Sequence, residues 1–201
     1  MHILAFSDLH SNELAAEELV QKAAQDTIDV VVGAGDFGTM RKRLEAVIDV
    51  LSEIQQPMVF VPGNGESLQE LTDACRQYAN IHILHGTAVD LCGKTFFGIG
   101  YGIPVTPFGD WSCDLTEDQA NQLLAEMPKA SVFLTHSPPL GHVDMNSRGN
   151  HVGSVAVLDA MQRCQPPIVL CGHVHDCWNQ TSQLNGSTVY NLGPRGRIIE
   201  A

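Results

Sequence analysis

The chain has 201 residues, 44 % of them hydrophobic, and carries a formal net charge of −12 from 23 acidic and 11 basic side chains. That length suits one domain, 1–201, with enough apolar content to bury the core of a soluble globular protein. The acidic balance argues against a nucleic-acid surface, where clustered Lys and Arg dominate contact with phosphate.

HILAFS (2–7) reads as a buried strand and leaves no room for a signal peptide ahead of it. NELAAEELVQKAAQ (12–25) has helical spacing, and DVVVGAG (29–35) is a β-branched second strand ending in glycines. Arg41-Lys42-Arg43 reads as a solvated face opening the helix KRLEAVIDVLSEI (42–54). PMVFVPG (57–63) is a third strand, and Ser67 with Glu70 forms the capping box of a third helix. This βαβαβα alternation with fully apolar strands predicts a parallel sheet under helices on both faces. After residue 80, IHILHG, TAVDLC and KTFFGIG follow with short turns, and Thr116 with Gln119 opens the helix TEDQANQLLAEM. SVFLTH (131–136) is a strand, 137–153 a Pro/Gly/Asn-rich loop, SVAVLDAMQRC a helix and PIVLCGH (167–173) a strand; QTSQLN, STVYNL and RIIEA close as a meander. The sum is two layers of sheet with helices outside. Six cysteines without paired spacing read as reduced thiols, and no apolar run approaches membrane-spanning length, so the cytoplasm is the expected location.

Polar residues stand directly after the apolar strands: Asp8 and His10, Asp36, Asn64, His136, then His173 and His175. Carboxyl ends of strands in α/β sheets are where loops splay open and ligands bind. Each motif alone has an ordinary reading, Asp36 as a cap and Asn64 as a turn residue, but seven potential ligands at strand ends point to a common site. Two Asp, four His and one Asn without a thiolate suit Mn or Fe, with Zn, Ni or Co also fitting. Seven ligands exceed the needs of one ion, so two divalent ions sharing a carboxylate, about 3.5–4 Å apart, are the economical arrangement. Their charge supplies the attraction for phosphate that the acidic side chains do not.

The order DLH … GD … GN … H … GHVH resembles the calcineurin-like metallophosphoesterase superfamily, and the resemblance runs from Asp8 to YNLGPRG near the end of the chain. It implies a sandwich of two mixed β-sheets flanked by α-helices. It also implies that Asp8, His10 and His175 bind one ion, that Asp36 bridges, and that Asn64, His136 and His173 hold the second. The implied reaction is hydrolysis of a P–O bond in a phosphate-ester small molecule by a metal-bridging hydroxide. The alternatives are a non-catalytic metal-binding scaffold of the same fold, or a monoesterase or nuclease.

One block departs from the family pattern. The Gly-Asn-His of the family is Gly63-Asn64-Gly65 here, so the ligand is kept while the histidine that assists the leaving group is absent. General-acid help is worth about 10²–10⁴-fold, so the loss favours a phosphodiesterase acting on activated leaving groups. Glu66 reads first as a charge at a helix start and second as a replacement donor. His151 is the favoured replacement, with Asn150-His151 before Ser154 taken as a phosphate-facing helix start; Arg148 is a candidate substrate contact. His142 and Arg148 read equally as solvated loop residues. The segment 101–113, with Tyr101, Phe108 and Trp111, is either a substrate-side wall or a small core or partner surface, and His2, His82 and His85 read as structural or surface residues. Oligomeric state is left open.

Overall fold

The computed structural model describes residues 1–25 and 27–201. A five-stranded sheet has the order β11 (Arg197–Glu200), β1 (His2–Phe6), β2 (Val30–Gly33), β3 (Met58–Phe60), β4 (Ile81–Ile83), with β1 to β4 parallel and β11 antiparallel to β1. A six-stranded sheet has the order β5 (Thr87–Leu91), β6 (Lys94–Ile99), β7 (Val132–Thr135), β8 (Ile168–Cys171), β10 (Ser187–Asn191), β9 (Thr181–Leu184). Its four central strands are parallel and its two edges antiparallel.

Strand alternation builds the layers. Along β1, Leu4 and Phe6 face the helices α1 (Glu13–Gln25), α2 (Leu44–Leu51) and α3 (Leu68–Cys75), whereas Ile3 and Ala5 face the second sheet. Val30 and Val32 of β2, Val59 of β3, and Val132 and Leu134 of β7 meet between the sheets. The outer face of the second sheet packs Phe97, Phe133 and Val169 under α4 (Glu117–Leu124) and α5 (Val155–Cys164).

The helices of the first sheet therefore cover one face, not two. Strands β1 to β4 are added in one direction, so right-handed crossovers deliver every helix to the same side, and the second sheet covers the other. IHI, placed by the sequence after the change of pattern at residue 80, still extends the parallel sheet by pairing Ile81 with Met58 and Ile83 with Phe60. Both expected capping boxes are present, at Ser67 with Glu70 and at Thr116 with Gln119. The second helix begins at Leu44 rather than Lys42, because Arg43 ahead of it has φ 58°, and it ends at Leu51, before Ile54. The basic run is not merely solvated: Arg41 Nε lies 2.6 Å from Glu70 and Arg43 pairs with Glu13. Among the described residues no helix is long and apolar enough to cross a membrane.

Candidate metal centre

All seven residues named from the strand ends come to one end of the sandwich, where loops from both sheets meet. Asp8, His10, Asp36 and His173 have positive φ, at 57°, 47°, 57° and 66°, a conformation that side-chain-bearing residues keep only where the surroundings impose it. Neighbouring loops impose it here: Asp8 N donates to Gly35 O at 2.9 Å and His10 N to Asp36 O at 2.9 Å.

Potential ligand atoms gather into two groups that share Asp8. One comprises Asp8, His10 and His175, the other Asp8, Asp36 and His136. Within the first, the Nε2 atoms of His10 and His175 are 3.1 Å apart, and Asp8 Oδ1 lies 3.8 Å from His175 Nε2. Asp36 reaches both groups, with Oδ2 3.6 Å from His10 Nε2 and Oδ1 3.5 Å from His136 Nε2. His136 Nδ1 donates to Ala34 O at 2.7 Å, which turns the Nε2 lone pair toward Asn64 Oδ1 at 3.1 Å. Asn64 is oriented in turn by its Nδ2, which donates to Ser112 Oγ at 3.1 Å. Acceptors of His136, Asn64 and Asp36 thus converge on one another, an arrangement that calls for a cation among them. The residues fit a pair of divalent ions. His173 is placed differently: its ring packs edge-on to His136 at 4.9 Å between centroids, and its backbone N donates to Asp8. Its ring nitrogens stand outside both groups.

The charges answer to this packing. Burial pushes the Asp8 carboxyl up, but His136, the Ser7 hydroxyl, His175 and His10 together hold it below its usual range. Burial lowers His136, yet Asp36, Asp8 and the Ala34 carbonyl lift it above its ordinary value. His173 is driven to about 3 by burial and by the neighbouring His136. Burial also lowers His175.

Glu66 takes a role absent from both sequence readings. It is fully buried, and its Oε1 accepts from Asp36 N at 2.9 Å and Gly63 N at 2.7 Å while Oε2 accepts from Gly38 N at 3.0 Å. One carboxylate thus ties the Asp36 loop to the Asn64 loop. Burial and the Asp36 charge push its carboxyl up to about 7, against the Gly63 and Gly38 N–H donors and the nearby His136, which favour the ionised form. The glycines follow from the same contact. A Cβ at Gly63 would stand 2.1 Å from Asp36 N, and Gly65 N donates to Asp36 Oδ1 at 2.7 Å with room for a Cβ only at 3.1 Å from that oxygen. A histidine grafted at position 65 would press on Asp36.

The loop 137–153 forms the rim beside His175: Ser147 N donates to Asp176 Oδ2 at 2.8 Å, and Cys177 Sγ contacts Met145 O. His151 is half-exposed, with Nδ1 2.6 Å from the buried Asp144 carboxylate. Arg148 is exposed, whereas His142 turns away to Ser182 Oγ at 3.1 Å. The α5 start is not open to phosphate, because the Glu117 carboxylate accepts from Val155 N and Ala156 N there. Sequence reasoning also missed Trp178, whose Nε1 donates to Asp8 Oδ2 at 3.0 Å and whose ring lies 4.4 Å from that of His175. It missed Asn191 as well, whose buried amide holds the Gly172 and Val174 carbonyls around His173. Trp178 carries no motif in the sequence, whereas Asn191 stands in YNLGPRG, where the resemblance ends.

The model of the Calcineurin-like phosphoesterase superfamily domain matches residues 1–198. The chain belongs to the calcineurin-like phosphoesterase superfamily. The UPF0046 protein K07C11.7 of Caenorhabditis elegans is 29 % identical to this chain, with 94 % of this chain and 68 % of the relative aligned. The UPF0046 protein T07D4.2 of the same organism is 34 % identical over 52 % of this chain, which spans only 26 % of that relative. In fold, the calcineurin-like chain is similar to TT1561 of Thermus thermophilus, with a TM-score of 0.78 at 22 % identity over 96 % of this chain and 90 % of the other. It is also similar to an archaeal phosphodiesterase, at TM-score 0.59 and 15 % identity, covering 96 % and 84 %. A dimetal phosphatase of Danio rerio aligns at TM-score 0.63 and 12 % identity, covering 96 % and 88 %.

Proposed function

We propose that the chain is a dinuclear metal-dependent phosphodiesterase acting on a small-molecule phosphate ester. The carrying observation is the pair of ligand groups sharing Asp8, with Asp36 facing both. Two divalent cations, Mn or Fe by the oxygen and nitrogen donor set, supply Lewis acidity and an activated water for in-line displacement at phosphorus. Asp8, His10 and His175 would hold one ion, Asn64 and His136 the other, with Asp36 between them; His173 packs beside His136 and completes that side. Arg148 on the rim offers a positive charge to the substrate phosphate. His151, its Nδ1 engaged by Asp144, leaves Nε2 free to hold and deliver a proton to the leaving oxygen.

The choice of diester rests on position 65, where Gly65 has no side chain and its N–H is engaged by Asp36. Likeness in fold to a phosphodiesterase and to a dimetal phosphatase is compatible with either ester class. Purified protein with Mn²⁺ is expected to cleave bis(p-nitrophenyl) phosphate faster than p-nitrophenyl phosphate, and Asp36→Asn to lose about 10²–10³-fold of that rate. An undiminished rate in Asp36→Asn, or a preference for the monoester, overturns this reading.

A further inference from the structure

Segment 101–114 carries an aromatic pair directly beside the ligand residues. Phe108 and Trp111 stack with centroids 5.7 Å apart and planes 11° from parallel. Phe108 also meets the His173 ring edge-on at 6.4 Å, yet remains 49 % exposed. A side chain that exposed is not core, and Val105 on the same segment is 58 % exposed. The segment is nonetheless held firmly. Thr106 Oγ1 and Ser112 Oγ both donate to the Asp114 carboxylate, at 2.8 and 2.9 Å, and Thr106 N donates to it at 3.0 Å. The same Ser112 Oγ accepts from Asn64 Nδ2, and Cys113 N donates to Asn64 O at 2.9 Å. The hydrogen bonds that orient Asn64 therefore also fix where the aromatic pair stands relative to it.

We propose that Phe108, backed by Trp111, is a stacking platform for a planar aromatic group carried by the phosphoester. This rests on the phosphoesterase reading for the location of the phosphate and adds what lies next to it. A ring on a phosphate held at the ligand residues covers the exposed face of Phe108, and the pre-set position of the pair keeps the ordering cost of stacking low. Stacking of this kind is tolerant of ring chemistry, so a nucleobase and a simple aryl group are both accommodated.

Calorimetric titration of the Mn²⁺-loaded protein with adenosine 5′-monophosphate, phenyl phosphate, ribose 5-phosphate and methyl phosphate tests this. The ringed probes are expected to bind about tenfold more tightly than their ringless counterparts. Phe108→Ala should remove that difference without changing the ringless affinities, and Phe108→Tyr should retain it. Preference for adenosine 5′-monophosphate over ribose 5-phosphate alone identifies a nucleobase as the occupant, and preference in both pairs identifies a general aryl platform. Equal binding of ringed and ringless phosphates overturns the platform and leaves the phosphoesterase reading standing, as does a Phe108→Ala variant that weakens all four probes equally. Ring-dependent binding without cleavage of bis(p-nitrophenyl) phosphate keeps the platform and removes the diesterase. Failure of all four probes to bind removes both.

Discussion

The group of Asp8, Asp36 and His136 is buried throughout, whereas that of Asp8, His10 and His175 opens to solvent through imidazoles whose side chains are 31 % and 49 % exposed. Around the buried group, backbone hydrogen bonds set the geometry: Ala34 O holds His136, Gly65 N holds Asp36, and Glu66 joins the two loops. Around the exposed group, side chains set it, chiefly the Trp178 ring against His175 and the two imidazoles against each other. The first geometry is a product of folding itself. The second depends on rotamers that solvent contests, and it is the side open to solvent.

The strongest way to break this contrast is Glu66→Ala. Asp36 N, Gly63 N and Gly38 N would lose their common acceptor, and each buried unpaired donor costs about 1–3 kcal/mol. A loss of about 3–5 kcal/mol is expected in urea denaturation of the metal-free protein. A change below about 1 kcal/mol would show that the buried group is held by something other than this clamp.

Trp178→Phe probes the other side. It keeps a ring against His175 and deletes the hydrogen bond to Asp8; with Asp8 assigned as proposed to the ion of His10 and His175, the affinity for that one of two Mn²⁺ ions should fall about 10–100-fold. Equal weakening of both ions in a calorimetric titration would erase the distinction between the groups.

The smallest effect comes from outside both. Burial lowers the His85 imidazole from its ordinary 6.5, and Gly100 N donates to its Nδ1, which requires a neutral acceptor there. A lowered folded-state value means that the unfolded chain binds the proton first. Its stabilisation is therefore complete above pH 6.5 and is lost as pH falls toward the folded-state value. His85→Phe, which preserves a ring beside Tyr101, should flatten the acid limb of the stability curve. An unchanged slope would assign that limb to the histidines of the two groups instead.

Much of this was legible because apolar runs announce parallel strands and the site lies at their ends. Asp8, Asp36, Asn64 and His136 could be set side by side from the sequence, since strand-end geometry brings such positions together. What could not be read is the work of residues whose partners are distant in sequence. Glu66 looks like a helix-start acid because two of its three donors, Gly38 N and Asp36 N, lie 28 and 30 residues away. Trp178 looks like an ordinary aromatic because Asp8 lies 170 residues away. The α5 start looked open because nothing near it in sequence revealed that Glu117 closes it. The one-sided helical layer was hidden for a related reason: strand order, which decides the face, is not written in periodicity.

Asp8 carries one further consequence. Its Oδ2 accepts from Ser7 Oγ at 2.6 Å and from Trp178 Nε1 at 3.0 Å, while His173 N is shared between Oδ1 at 3.1 Å and Oδ2 at 3.2 Å, so Oδ2 is fully occupied. Oδ1, which carries only its share of the His173 N–H, keeps a lone pair to offer, which makes Asp8 a one-point anchor. Calcium gains by being gripped through both oxygens of a carboxylate across a wide shell, and this residue denies it that grip. Ions of smaller radius, content with a single oxygen from each acid, would suffer no such penalty, so the crowding around one oxygen would act as a size filter on any ion held there.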